Sequence, residues 1–320
     1  MNIKKAMTPG GLSNRDPFGI KIKNYFLTFK KIQLKRYFWL FLLPTAMAFL
    51  IGFLWPFIRG IYLSFCEFRN IKSARFIGFD NYVNAFNDAG FVRAFFYTVA
   101  FTIVSVIFVN LIAFAVAYVL TRGIRGSNLF RMVFFMPNLI GGIVLGYIWQ
   151  LIINGFLQWY IGQDITYSST YGFWGLVVLM CWQQVGYMMI IYIAGLQSVP
   201  DHLVEASKID GASGFGTLKN VILPYVRTSI TICTFLTLTN SFKLYDQNEA
   251  LTAGRPIEIL SDGTQVKTTS MVAKNIVDNF SETYASSNGT AQAKAVLFFL
   301  IVVAISLFQL YFTRRREIEQ

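Results

Sequence analysis

The chain has 320 residues, 55% of them hydrophobic and only 14% charged, with a mean hydropathy of +0.50. These proportions exclude a soluble domain of this size and indicate a membrane protein. The formal net charge of +12 does not indicate a nucleic-acid partner, because with so few charges in total it points to Lys and Arg gathered on one side of a bilayer.

Residues 1–36 carry nine Lys and Arg before any apolar run begins. That lead is too long for a cleavable signal peptide and is expected to be a cytoplasmic tail. Six stretches then reach the roughly 20 apolar residues a helix needs to cross about 30 Å of hydrocarbon: 37–65, 94–121, 128–153, 172–198, 223–243 and 294–313. The expected fold is an all-α membrane protein with six transmembrane helices, residues 37–313 forming the membrane domain and 314–320 a second tail. Arg122, Arg125 and Arg131, then Lys208, Lys219 and Arg227, then Arg314, Arg315 and Arg316 fall on the same side as the first tail. The opposite links hold Arg69, Lys72, Arg75, Arg255, Lys267 and Lys274. The positive-inside bias therefore places both termini in the cytoplasm.

Several chemistries are disfavoured by what the spans lack. All sixteen Asp and Glu lie outside them, whereas an ion-coupled carrier ordinarily binds its cation with an intramembrane carboxylate. No G-x-x-x-x-G-K-[ST] loop is present to hold nucleotide phosphates, so any ATP must be bound by another polypeptide. One His, and three Cys (Cys66, Cys181, Cys233) in or beside apolar runs, suggest neither a metal site nor a disulfide framework. No catalytic residue and no cofactor is expected. An ion-coupled secondary carrier and a membrane-embedded enzyme stand as the alternatives.

The sequence VEASKIDGASGFGTLKNVILP, residues 204–224, interrupts the apolar runs with acidic, Gly and Ser residues. From Pro200 to Ile209 it reads as a short helix: Ser198 can cap it, Asp201 suits its first turn, Lys208 its last, and Gly211 can end it. Asp201, Glu205 and Lys208 fall on one stripe of that helix. A second short helix can begin at Ser213 and present Phe215, Leu218 and Ile222, before Pro224 opens the fifth span. Such a segment suits either a groove on another protein or a connector lying on the membrane.

Glu205-Ala206-Ser207, Asp210-Gly211-Ala212 and Val221-Ile222-Leu223-Pro224 resemble the EAA motif of permease subunits of binding-protein-dependent ABC importers. Ser207 stands where that family usually has a third Ala. The resemblance extends to Leu43-Pro44, Phe76-Ile77-Gly78-Phe79-Asp80-Asn81-Tyr82, Pro137, Gly195-Leu196-Gln197 and Ser241-Phe242-Lys243-Leu244-Tyr245-Asp246, and these look like carbohydrate permeases. It implies a type I importer fold in the bacterial cell membrane, with residues 200–223 as the ATPase-coupling segment. Glu205, Ala206, Asp210, Gly211, Ala212, Leu223 and Pro224 would be its motif residues. The implied partners are a second permease, two ATP-binding cassette ATPases and an external sugar-binding protein, besides membrane lipid. A permease for a non-sugar solute remains a further alternative.

Two regions are read from their residues alone. The loop 244–293 departs from the family at Gly254-Arg255-Pro256, where Gly-Gly-Pro is usual, and the following Asp262-Gly263 lies between alternating segments as in a hairpin. Val272, Ile276 and Phe280 then recur at helical spacing. A sugar path needs uncharged hydrogen-bonding groups beside aromatic rings. Tyr147, Trp149 and Gln150 in the third span, Trp182, Gln183, Gln184 and Tyr187 in the fourth, and Asn240 in the fifth supply them. Gln150, Gln183, Tyr187 and Asn240 are the candidate path residues, although such groups can also bond neighbouring helices.

Overall fold

The computed structural model describes residues 37–281 and 287–314. The basic lead 1–36 and the tail beyond Arg314 lie outside the described residues. The chain divides into a unit ending at Gly60 and a larger one beginning at Ile61.

The first unit holds most of helix α1 (Tyr37–Leu63). Apolar side chains along it, among them Trp39, Phe41 and Ile51, are exposed. A π-helical stretch occupies Leu50–Leu54, and its cause is Pro56: a proline ring clashes with the carbonyl four residues earlier and lacks an N–H, so the ladder opens by one residue ahead of it.

The second unit opens with a small antiparallel pair, β1 (Cys66–Glu67) with β2 (Arg75–Phe76), registered by Cys66 opposite Phe76. Helix α2 (Asp80–Asn87) follows. Asp88 then caps the long helix α3 (Ala89–Leu120) by accepting from the Phe91 N–H at 3.1 Å. Helix α4 (Ser127–Phe135) gives way to a 3₁₀ turn at Met136–Leu139, and α5 (Gly142–Ile161) resumes beyond it. The expected span 128–153 is therefore broken, because Pro137 cannot continue α4 and Gly141-Gly142 starts a new helix. Helix α6 is Ser169–Gln197.

Rings of α3 and α6 meet near both ends of the pair, Tyr97 with Phe173 at 5.6 Å and Phe114 with Tyr192 at 5.5 Å. The two helices thus run parallel and finish on one face. Phe101, Ala113, Leu176, Met180, Met188 and Tyr192 form the core between them, and α9 (Arg227–Phe242) adds Cys233. Lipid is as apolar as these side chains, so close approach rather than hydrophobic driving force has to hold the bundle. Gly186 shows how close: a Cβ there would sit 1.8 Å from the Phe134 carbonyl oxygen of α4.

The remaining elements are α7 (Asp201–Ile209), α8 (Gly214–Tyr225), α10 (Asp246–Thr252), the hairpin β3 (Ile257–Ile259) with β4 (Gln265–Lys267), α11 (Val272–Ser281) and α12 (Ser287–Arg314). Among the described residues five helices are long and apolar enough to cross a membrane, and the pair α8 and α9 makes a sixth if it counts as one bent span. The fifth span does not open at Pro224 as expected. Pro224 lies inside α8 behind a second π-helical stretch, Leu218–Ile222, and the axis turns by 72° at Val226 before α9 begins. In both places the π-helical stretch ends two residues before a proline.

Candidate functional site

The segment between α6 and α9 folds as a knob, and its turn explains its sequence. Ala212 N–H bonds to the Ser207 carbonyl at 2.9 Å and Gly211 N–H to the Lys208 carbonyl at 3.1 Å. This pair of bonds is a Schellman closure of α7, which needs a left-handed residue between its two donors' carbonyl partners and the exit strand. Gly211 supplies it at φ +79°. Ser213 at once caps α8 by accepting from Gly216 N–H at 3.1 Å. The two short helices are joined by Ser207 and Thr217, whose hydroxyl oxygens lie 2.9 Å apart. Ser207, the departure from the usual Ala, thus holds α7 against α8.

Two expected details differ. Ser198 does not cap α7; its hydroxyl donates back to the Gly195 carbonyl at 2.7 Å, and Pro200 takes the cap position without a side-chain bond. Phe215, Leu218 and Ile222 do not form one presented stripe. Ile222 is buried and Leu218 half-buried, because the π-helical stretch rotates them onto the body. What is presented instead is Ile209, 86% exposed, and Phe215, 73% exposed, beside exposed Glu205, Ala206, Asp210, Gly211 and Ala212. Leu223 and Pro224 are half-buried behind them. Ile209 escaped the sequence reading because it is the last residue of α7, outside any helical repeat.

The candidate path residues lie around α6 and α10. Gln183 is buried and accepts from the Gln247 amide at 2.7 Å. Gln150 donates to the Leu251 carbonyl at 3.0 Å. Asn240 donates to Gln184 at 3.4 Å. Trp149 and Trp182 meet edge to face at 5.6 Å, and Tyr187 packs half-buried against the main core. The structure therefore brings Gln150 and Gln183 together on α10, while Asn240 bonds the neighbouring Gln184 and Tyr187 lies one turn along α6 from Gln183. Helix α10 itself was not anticipated, having been read as part of a loop. Its signal was the Gly142 and Gly146 pair, one turn apart on α5: a Cβ on Gly142 would meet Asp246 at 2.8 Å and one on Gly146 would meet Ala250 at 2.6 Å.

On the face opposite the knob, the Asp262-Gly263 hairpin and the α11 helix form as expected. Asn248 fastens α10 to the hairpin's exit by donating to the Thr269 carbonyl at 2.8 Å and accepting from Met271 N–H at 2.9 Å. Two lysines whose burial no sequence pattern indicates hold this cap together. Lys294 of α12 donates to Asp88 and Asn279, and Lys274 of α11 pairs with Glu249 and with Asp278 at 3.0 Å. Burial works against the Lys274 charge, but the bonds to Glu249 and Asp278 outweigh it and raise its pKa above the ordinary lysine value. A raised pKa means that this contribution to stability is whole at neutral pH and is lost only in the alkaline range, as pH rises through the raised folded-state value. A polar cleft of about 340 Å³ opens beside these residues, lined by Asn84, Asp88, Asn275 and Asp278 among others. Among the described residues no group of three or more His, Cys, Asp or Glu could hold a metal ion.

Residues 110–318 match the family described as the binding-protein-dependent transport system inner membrane component. The chain belongs to that family. It is a transporter permease of multi-pass membrane architecture and not an enzyme. It is 40% identical over 292 residues to the probable starch degradation products transport system permease protein AmyD of Thermoanaerobacterium thermosulfurigenes, covering 88% of this chain and 96% of that one. It is 27% identical to the multiple sugar-binding transport system permease protein MsmF of Streptococcus mutans, covering 91% and 100%. A permease chain in the crystal structure of a bacterial alginate ABC transporter, in complex with an alginate pentasaccharide-bound periplasmic protein, shares the fold with a TM-score of 0.70 at 19% identity, covering 88% of this chain and 96% of that one.

Proposed function

We infer that this permease is one membrane half of an ATP-driven oligosaccharide importer, receiving the work of separate ATPases through residues 200–223. The observation that carries the coupling role is the exposure of Ile209 and Phe215 on a polar knob, at the turn that joins α7 to α8. Lipid does not cover side chains there, and an apolar pair held on a rigid turn and rimmed by charge fits a cleft in a protein. Glu205, Ala206, Asp210, Gly211 and Ala212 form that surface, with Leu223 and Pro224 setting its angle to the bundle. The sugar is supported by the two relatives named for starch degradation products and multiple sugars. The working assembly holds a second permease, two ATPase subunits and an external sugar-binding protein in the bacterial cell membrane, with both termini cytoplasmic. It involves no nucleic acid, and this chain carries no cofactor. Purifying the knob variants described below with their ATPases, and measuring uptake of labelled oligosaccharide, tests the coupling role.

Gln150, Gln183, Tyr187 and Asn240 are proposed to line the sugar path. In the conformation described, α10 engages the Gln183 carbonyl oxygen and the Gln150 amide nitrogen, so a sugar has to compete with α10 for those two atoms. Gln183→Ala and Tyr187→Ala should slow oligosaccharide uptake roughly five- to a hundredfold, the ~1–3 kcal/mol that an unmet buried polar group costs. ATP hydrolysis stimulated by loaded binding protein should persist in both. Unchanged uptake of every sugar tested would move the path elsewhere in the bundle.

The hairpin and α11 are proposed to receive the binding protein. Replacing residues 257–267 with a short Gly-Ser link should lower hydrolysis stimulated by loaded binding protein several-fold more than basal hydrolysis. Equal losses in both rates would make the hairpin a scaffold only.

A further inference from the structure

An apolar groove of about 400 Å³ runs along the end of α3 against α4, walled by Val116, Val119, Leu120, Ile124, Phe130 and Phe134 with Ala115. Every lining residue is apolar, and Val119, Ile124 and Phe130 are about half exposed, so the groove opens outward. It lies at the α3 end that shares a face with the knob, since α3 and α6 finish together. Arginines adjoin its lining residues along the chain, and no carboxylate does. Ile124 sits between Arg122 and Arg125, Phe130 is followed by Arg131, and residues 121–135 contain no Asp or Glu. Arg122 lies over the Tyr118 ring with its carbon 4.4 Å from the centroid and donates to the Tyr118 hydroxyl. The Arg131 Nε is buried and meets no hydrogen-bond partner among the described residues. None of the three arginines is ion-paired to a carboxylate there.

We propose that this groove and its arginines bind one acidic phospholipid, an acyl chain lying between α3 and α4 and the phosphate meeting the guanidinium groups. Neither half of the feature accounts for the other on its own. An apolar wall alone accepts any lipid tail or a neighbouring helix, whereas a helix end offers the arginines only the partial charge of its dipole. Guanidinium groups at the level of the headgroups, left without carboxylate partners, match a phosphate in charge and hydrogen-bond geometry. A single amphiphile with an anionic head satisfies both, and its volume suits a cleft of ligand size.

The whole importer is purified in detergent and titrated with phosphatidylglycerol or phosphatidylcholine of identical acyl chains, and bound lipid is counted by native mass spectrometry. The phosphatidylglycerol preference is expected to be on the order of twentyfold, since the exposed Arg122 and Arg125 each contribute about fivefold towards an anionic headgroup. Arg122→Gln with Arg125→Gln should abolish that preference while leaving tail-driven binding of both lipids. Val119→Trp, filling the groove from a half-exposed position, should weaken both lipids alike, and inorganic phosphate should not displace them. The two arginines are exposed, and assembly with the ATPases, measured in the same spectra, should be unaltered. Equal affinity for the two lipids in the unaltered protein, a preference that survives the double Gln variant, or exclusion of lipid by a partner helix in the assembled complex would each overturn the site.

Discussion

Gly211→Val should cut oligosaccharide uptake by the assembled importer roughly ten- to a hundredfold, with the amount of chain in the membrane unchanged. The closure of α7 places residue 211 at φ +79°, where a β-branched side chain costs ~1–3 kcal/mol. No atom lies within 4 Å of the position a Cβ would take, so the penalty is one of backbone conformation and not of space. Gly211→Asn is the control, because Asn tolerates left-handed backbone, and it should transport close to the original rate. Glu205→Lys leaves the fold alone and reverses the charge beside Ile209 and Phe215. It should weaken co-purification of the ATPases and lower uptake together. Uptake counts from membrane vesicles, normalised to chain abundance, read all three variants, and normal uptake by Gly211→Val and Glu205→Lys would remove the coupling role from this knob.

Lys294→Met should destabilise the cap opposite the knob by ~1–3 kcal/mol, since the ammonium is fully buried while its partner Asp88 keeps a third of its surface in water. The Lys294 side chain is fully buried and bonds Asp88 and Asn279, and Asp88 also caps α3. Removing the ammonium leaves that carboxylate without its counter-charge at the start of the longest helix. Lys267→Met is the comparison. Lys267 pairs with Asp278 at 2.7 Å but its side chain is 40% exposed, and such pairs contribute at most ~1 kcal/mol. Thermal unfolding followed in detergent should drop by several degrees for the first and scarcely for the second. Equal shifts would show that the buried lysine is not what fastens α12 to α11.

Much of this architecture was legible because period and length suffice to find a helix in a membrane. The runs 94–121 and 172–198 predicted α3 and α6 nearly to their ends, since nothing in either interior competes with helix. The hairpin was legible from Asp262-Gly263, where turn chemistry is local. The knob turn was legible at Gly211 for the same reason. What the sequence hid depends on partners distant along the chain. The break at Met136–Leu139 follows from Pro137, which sits inside an otherwise continuous apolar run that period and length alone read as one helix. Helix α10 is only seven residues long and polar, and its place is set by Gly142 and Gly146 a hundred residues earlier. Lys294 lies within an apolar helix whose start was drawn at 294; α12 begins seven residues sooner, which carries the lysine inward to Asp88. Ile209 and Phe215 became visible as a docking pair only through exposure, which no periodicity reports.

The central claim, that this permease moves sugar with work delivered by separate ATPases, is tested most directly in proteoliposomes holding the complete importer, with labelled oligosaccharide and binding protein outside and ATP inside. Uptake should require internal ATP, persist undiminished when a protonophore and a sodium ionophore abolish all ion gradients, and fall at least about tenfold with Gly211→Val. Uptake that proceeds without ATP and collapses with the ionophores would contradict the account and make the protein an ion-coupled carrier.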